Sequence, residues 1–243
     1  MQPFEPSLYG DRIADVYDEL YGDATDVAGT VRAVAALAAR GPVLELGVGT
    51  GRLAIPMAEA GLDVHGVDAS PAMVERLRAK PGGDRVTVTV GDFADLDGVG
   101  DGFAVVLLPF NALFNLPSAE AQRRCLRRCA EVLRPGGHVV VEAVVPADDP
   151  VASGVAVRDV SADRVLLSAF RREGDVVTGS LVSITEAGIR LHPWQIRPVP
   201  PATLDEMAAA AGLELVRRHG GWRDEPFDDD SDRQVVVYRA GAR

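Results

Sequence analysis

The sequence predicts an α/β fold in which a mostly parallel sheet is covered by helices on both faces, preceded by a helical segment and interrupted late by an antiparallel β insertion. Three observations predict it. Short apolar strand patterns alternate with helical patterns from Val43 to Val145, and such alternation requires crossovers that leave successive strands parallel. A glycine-rich turn, Gly47-Val48-Gly49-Thr50-Gly51, joins the first strand to the helix that follows. The region from Val151 to Val199 abandons the alternation for consecutive β-rich segments. At 243 residues, 47% of them hydrophobic, the chain suits one domain with one sizeable core.

The elements follow in order. Arg12 to Tyr21 places Ile13, Val16, Tyr17, Leu20 and Tyr21 on one helical face. Asp26 to Arg40 reads as an Ala/Val-rich helix stopped by Gly41-Pro42. Strand Val43 to Leu46 leads through the glycine turn to a helix ending near Ala60, and strand Asp63 to Val67 leads to a helix capped by Ser70 with Pro71 at its first position. Strands follow at Arg85 to Val90 and Phe103 to Leu108, then a helix from Ser118 to Leu133 and a strand from His138 to Val145. The insertion offers strands near 155–160, 164–172, 176–185 and 189–197, with Glu173-Gly174-Asp175 as a hairpin turn. Thr203-Leu204-Asp205-Glu206 reads as a capping box opening a helix to Ala211, and Leu213 to Arg218 with Gln234 to Arg239 as a closing hairpin.

In such sheets ligands bind beyond the carboxyl ends of the strands, and that edge gathers Gly47, Asp68 and Asp92. Glycines remove side chains where the backbone turns sharply and approaches a ligand. Asp68 closes the second strand at about the interval where an acidic side chain meets ribose hydroxyls in nucleoside-binding βαβ units. The glycine spacing departs from the dinucleotide pattern, because Gly51 comes one residue too early for Gly-x-Gly-x-x-Gly.

The string Glu45-Leu46-Gly47-Val48-Gly49-Thr50-Gly51 instead resembles the first motif of class I S-adenosylmethionine-dependent methyltransferases. The resemblance runs from about Tyr9 to Tyr238, through Gly66-Val67-Asp68-Ala69-Ser70, Gly91-Asp92-Phe93 and Leu133-Arg134-Pro135-Gly136-Gly137, and is loose from Val151 to Val199. It implies a Rossmann-like seven-stranded sheet whose last strand runs antiparallel. It also implies one methyltransferase domain over 1–243: an N-terminal helical lid (1–40), a cofactor-binding core (41–150), a β insertion over the acceptor site (151–199) and a final helix and hairpin (200–243). The implied cofactor is S-adenosyl-L-methionine, with S-adenosyl-L-homocysteine as product. Glu45 would hold its amino acid end, Asp68 the ribose hydroxyls, and Asp92 the adenine amino group beside Phe93. Tyr17, Gly47, Val48, Gly49, Gly51, Arg52, Ala69, Met73, Pro109 and Phe110 complete the expected donor site. Tyr9, Tyr17 and Tyr21 are lid tyrosines able to reach donor or acceptor.

Methyl transfer from a sulfonium is a displacement on carbon in which alignment does most of the work, so a base is optional. Pro109-Phe110-Asn111 lacks the Asn/Asp-Pro-Pro-aromatic signature of amine-directed nucleic acid enzymes and resembles the small-molecule branch. Asn111, Phe114, Asn115, Glu142, Glu186, Arg190 and Trp194 are candidate acceptor contacts. His65, His138 and His219 read as structural, leaving His192 as the candidate general base.

Composition narrows the partners. A net charge of -11 disfavours nucleic acid, whose binding rests on cations that neutralise phosphates. The start Met1-Gln2-Pro3-Phe4-Glu5 carries no leader pattern and no run reaches the roughly 18 apolar residues of a membrane span, so a cytoplasmic protein is expected. Cys125 and Cys129 lie one helical turn apart without further ligands nearby, which suits buried thiols better than a metal or a disulfide. No metal is expected, nor does Asp228-Asp229-Asp230-Ser231-Asp232 have the Gly and Glu of a calcium loop. The expected activity is methylation of a small-molecule oxygen or nitrogen, with a homodimer formed through the insertion. A donor-binding protein without methyl transfer, such as a cyclase, is the alternative. A nicotinamide-dependent reductase is disfavoured because Lys80, the sole lysine, has no Tyr at Tyr-x-x-x-Lys spacing.

Overall fold

The computed structural model describes residues 6–22, 25–147 and 151–241. The reading of Met1–Glu5 falls outside them. Helices α1 (Pro6–Ile13), α2 (Tyr17–Tyr21) and α3 (Val27–Ala38) precede the sheet, so the single helix expected over Arg12–Tyr21 is two short ones that turn at Ala14–Val16. The apolar stripe is real but serves both pieces: Ile13, Ala14, Val16, Tyr17, Leu20 and Tyr21 pack with Met73 in one small cluster. Asp26 caps α3 by accepting the Gly29 amide at 2.9 Å.

The core alternates as expected: β1 (Val43–Leu46), α4 (Ala54–Glu59), β2 (Val64–Asp68), α5 (Pro71–Ala79), β3 (Thr87–Val90), β4 (Phe103–Leu108), α6 (Ala119–Val132) and β5 (Leu133–Val144). Ser70 caps α5 through the Met73 amide, with Pro71 at its first turn. Strand β5 begins earlier than expected, pairing Leu133 with Phe103 before an irregularity and resuming at His138. The insertion is an antiparallel sheet of β6 (Ser153–Val160), β7 (Arg164–Glu173), β8 (Val176–Thr185) and β9 (Gly188–Ile196), in that spatial order. The chain then closes with α7 (Pro201–Ala210), β10 (Leu213–His219) and β11 (Arg233–Ala240). Thr203 therefore lies inside α7 and does not cap it. Pro200 and Pro201, whose fixed φ suits a helix start, set the boundary three residues earlier than the capping box suggested.

The main sheet has the order β10-β11-β5-β4-β1-β2-β3. Strand β11 runs antiparallel between β5 and β10 and is the exception to parallel pairing. Strands β1 and β4 are buried along their whole length at the centre, which is why they read as continuous apolar runs. One face, with Leu44, Leu46 and Val106, packs on α6 and α7; the other, with Val43, Val105 and Val140, packs on α3 and α4. Each fully buried Leu or Val contributes roughly 1.5–3 kcal/mol. Cys125 and Cys129 are free thiols buried beneath α6. No helix among the described residues is long and apolar enough to cross a membrane.

Candidate active site

A cleft of about 530 Å³ opens above the carboxyl ends of β1, β2 and β4, bounded on its far side by the insertion sheet and on top by α1 and α2. The glycine turn forms its floor. Gly47 and Gly49 have φ of +74° and +54°, values that side-chain-bearing residues rarely adopt, and both border the cleft. Gly51 serves packing instead: a Cβ there would lie 2.8 Å from Leu77 and 2.9 Å from Ile55. Val48 points away from the cleft and rests on Gly66, where a Cβ would meet it at 2.6 Å.

Asp68 ties the turn to β2. One carboxylate oxygen accepts the Gly49 amide at 2.8 Å and the other the Ser70 amide at 2.8 Å. Burial nevertheless raises its pKa above the ordinary carboxylate range, against the lowering effect of those two bonds. Asp92 accepts the Ala94 amide at 2.8 Å and borders the cleft with Phe93. Glu45 is 2% exposed, and its Oε2 has no hydrogen-bond partner among the described residues. Burial lifts its pKa to about 8, a rise that Arg52 opposes and Asp68 reinforces.

Helices α1 and α2 are pinned to this floor. Ser70 Oγ donates to Asp11 at 2.6 Å, and Gly10 lets α1 approach so closely that a Cβ would lie 2.5 Å from that of Ser70. Thr50 Oγ1 donates to Asp18 at 2.6 Å, and Lys80 pairs with the same carboxylate at 2.7 Å. Arg52 donates to the Tyr21 carbonyl at 2.9 Å and to Thr25 Oγ1 at 2.8 Å, with its guanidinium 4.9 Å from the Phe110 ring centroid. Tyr9, Tyr17 and Tyr21 face the cleft from α1 and α2. Burial pushes the Tyr17 phenol up to about 12 and raises Tyr9 and Tyr21, with Arg158 and Arg52 tempering the rise at Tyr21.

The loop after β4 holds two consecutive left-handed residues, Phe110 (φ +46°) and Asn111 (φ +65°). Strand β5 clamps them. Phe110 N–H donates to the Glu142 carboxylate at 2.9 Å, Asn111 N–H to the Glu142 carbonyl at 2.9 Å, and Asn111 Oδ1 accepts the Val144 amide at 2.8 Å.

Residues 43–137 match the family model for a methyltransferase domain. Across 96% of its length the chain is 31% identical to the cypemycin N-terminal methyltransferase of a Streptomyces species, of which 98% is covered. The CcbJ methyltransferase from Streptomyces caelestis superposes with a TM-score of 0.93 at 41% identity, over 98% of this chain and 100% of that one. This chain is a class I S-adenosylmethionine-dependent methyltransferase. The sugar N-methyltransferase KedS8 from Streptoalloteichus, 24% identical with a TM-score of 0.73 over 99% of both chains, shares the fold.

The residues of this methyltransferase fit its donor, S-adenosylmethionine. Two side-chain-free turn positions, the Asp68 and Asp92 carboxylates and the Phe93 ring all face one space, and an unpaired carboxylate oxygen of Glu45 lies buried below the turn. Of the expected donor residues, Tyr17, Gly47, Gly49, Asp68, Ala69, Met73, Asp92, Phe93, Pro109 and Phe110 border the cleft, whereas Glu45, Val48, Gly51 and Arg52 lie behind its wall.

The acceptor expectations need more correction. Tyr21, Asn111 and Trp194 line the cleft. Phe114 does not, being fully buried in a 3₁₀ turn under α6. Nor does Glu142, whose second carboxylate oxygen accepts the Trp222 indole N–H at 2.9 Å. Arg190 is exposed and paired with Asp15 at 3.1 Å, and Glu186 is exposed in the β8–β9 turn. His192 lies on the same face of the insertion as Trp194, paired across the sheet with Leu181, yet its ring is 4% exposed and does not border the cleft. Sequence reading missed Arg158, Leu166, Ser168, Leu181 and Gln195 on the insertion wall and Leu116 and Pro117 after the loop. Period-two alternation gave the strands, but no local signal said which face would meet the cleft.

Proposed function

We propose that this methyltransferase methylates an amine nitrogen of a small secondary metabolite. The reading is carried by one observation: a single cleft runs from the glycine turn to the insertion sheet, so donor and acceptor can share one enclosed space. The relatives support nitrogen as the target, since the cypemycin enzyme is named for an N-terminal amine and KedS8 for a sugar nitrogen.

The bound donor supplies an electrophilic methyl on a good leaving group. The chain's task is alignment. Asp68 and Asp92 bind the ribose and adenine, while Glu45 offers negative charge beneath the amino acid end. Phe110, fixed by Glu142, walls the position between donor and acceptor. The lid tyrosines exclude water and orient the incoming amine, and holding it at near-attack distance supplies roughly 7–11 kcal/mol. An amine arriving as the free base needs no protein base to attack, which agrees with His192 not bordering the cleft.

Labelled S-adenosylmethionine, enzyme and a metabolite extract test the reading: one labelled methyl should appear on a basic small molecule, with stoichiometric S-adenosylhomocysteine. Thermal stabilisation by NAD(P) rather than by S-adenosylmethionine would overturn it.

We also propose a homodimer through the outer face of the insertion. Cross-strand rows Val160–Val165–Ile184–Ile189 and Val157–Leu167–Val182–Leu191 present apolar side chains there, with Val157, Val160, Ile189 and Leu191 each more than 60% exposed. Light scattering should return twice the chain mass, and Val157→Lys with Leu191→Lys should return one.

A further inference from the structure

The acceptor half of the cleft holds an unused cation. Among the described residues lining the cleft, the charged ones are Asp68 and Asp92 in the donor half and Arg158 on the insertion. Among the described residues Arg158 has no ion pair and no side-chain hydrogen bond, whereas Arg164, across the β6–β7 turn, is fully engaged. Arg164 takes both nearby carboxylates, pairing with Asp159 at 3.0 Å and with Glu19 of α2. The Glu19–Arg164–Asp159 chain of contacts fastens the β6–β7 turn to α2 and engages the Asp159 carboxylate next to Arg158.

Its backbone setting is also particular. In the β6–β7 ladder Val157 pairs with Leu167 and Asp159 with Leu166, so Arg158 is the extra residue of a β-bulge on an edge strand. Bulges re-aim side chains and recur beside binding sites. Opposite it, Leu166 and Ser168 of β7 also border the cleft, and Ser168 is 2% exposed with no side-chain hydrogen bond among the described residues. Across the mouth lies Tyr21, near enough for the Arg158 charge to act on its phenol. A planar guanidinium, a hydroxyl and a phenol thus border the same cleft as Leu166, Leu181, Gln195 and Ile196 of the insertion wall.

We propose that Arg158, with Ser168 and Tyr21, forms a subsite for an anionic group of the acceptor, a carboxylate or a phosphate carried at a distance from the amine that is methylated. Guanidinium groups bind such oxyanions through two parallel hydrogen bonds. The subsite rests on the reading of the insertion as the acceptor wall. It gives a net-acidic protein a local means of drawing in an anionic substrate, and seating the substrate removes water from a cation that is otherwise solvated. Anchoring the far end also fixes which nitrogen reaches the donor.

The test uses the full chain loaded with S-adenosylhomocysteine and three homologous series of probes: ω-amino carboxylates, ω-aminoalkyl phosphates and the uncharged ω-amino amides, from three to eight methylenes. Calorimetry should show one chain length at which a charged series binds at least tenfold more tightly than its amide. Whichever charged series leads identifies the oxyanion. In Arg158→Gln that preference should fall to within twofold, and Arg158→Lys should restore part of it, with the affinity for S-adenosylhomocysteine unchanged in both. Equal binding of charged and neutral probes, no probe binding, or a preference surviving in Arg158→Gln would overturn the subsite. Weakened S-adenosylhomocysteine binding in Arg158→Gln would also overturn it, by assigning the cation to the donor. Failure of the wild-type chain to take S-adenosylhomocysteine at all would instead remove the functional reading beneath it.

Discussion

Glu142 holds Phe110 in place: its carboxylate accepts the Phe110 amide at 2.9 Å, and the opposite carboxylate oxygen accepts the Trp222 indole at 2.9 Å. Phe110 and Asn111 are both left-handed, a conformation that costs side-chain-bearing residues of the order of 1–3 kcal/mol each. Such a loop persists only when its surroundings dictate it. Glu142 does so from the adjacent strand, using both its side chain and its carbonyl.

Glu142→Ala should therefore destabilise the protein by about 1–3 kcal/mol, the cost of leaving buried N–H donors unpaired. It should also slow methyl transfer by loosening the wall that Phe110 forms, while changing donor affinity little. Chemical denaturation and single-turnover transfer measure the two effects. A variant as stable and as fast as wild type would show that the loop holds itself.

Asp68→Ala should weaken S-adenosylmethionine binding by several kcal/mol, roughly the sum of two hydrogen bonds to a charged acceptor and the loss of the anchor on Gly49. Asp68→Asn separates the two contributions. Its amide oxygen can still accept one backbone N–H, so the turn should survive better than the ribose contacts. Calorimetric affinities equal to wild type in both variants would remove Asp68 from the donor site.

Part of this site could be read from the chain directly. Glu45, the three turn glycines, Asp68 and Asp92 sit at strand ends defined by short-range apolar patterns, so their common edge follows from βαβ geometry. The Glu142–Phe110 clamp spans 32 positions and depends on β4 and β5 pairing in one register, which no local pattern encodes. Arg158 was hidden by its bulge, since alternation along β6 does not announce an extra residue. The lid illustrates a different failure. Its apolar stripe was correctly found, but a stripe of that spacing does not say whether the helix bends at Ala14–Val16 to let both halves reach Met73. Phe114 looked like a site residue because its loop is, yet its side chain points into the core.

His192→Ala should lower turnover less than tenfold, because the ring does not border the cleft and an amine free base needs no proton acceptor. A general base contributes about 10²–10⁴-fold, so the two roles are well separated in size. The ring is 4% exposed, and its Nδ1 has no partner among the described residues, so a lowered melting temperature should accompany the mild kinetic loss. A hundredfold fall in turnover at unchanged stability would return His192 to the chemistry.

Glu45 should couple donor binding to protons. Its folded pKa of about 8 lies above its ordinary value of 4.5, so the free enzyme holds the side chain protonated at neutral pH. A raised carboxylate contributes its stability fully below pH 4.5, loses it progressively as pH climbs to about 8, and contributes none beyond. Glu45→Gln, which cannot ionise, should accordingly gain stability relative to wild type across that window and hold a constant advantage above it. The donor's ammonium and sulfonium favour the ionised carboxylate, so binding near pH 7 should release a proton from Glu45. Titrations in phosphate and in Tris, whose ionisation enthalpies differ, should then give different apparent binding enthalpies for wild type and the same enthalpy for Glu45→Gln. Buffer-independent heats in the wild-type protein would mean that Glu45 is already ionised before the donor arrives, and that the buried carboxylate acts as a fixed charge instead of a proton-linked one.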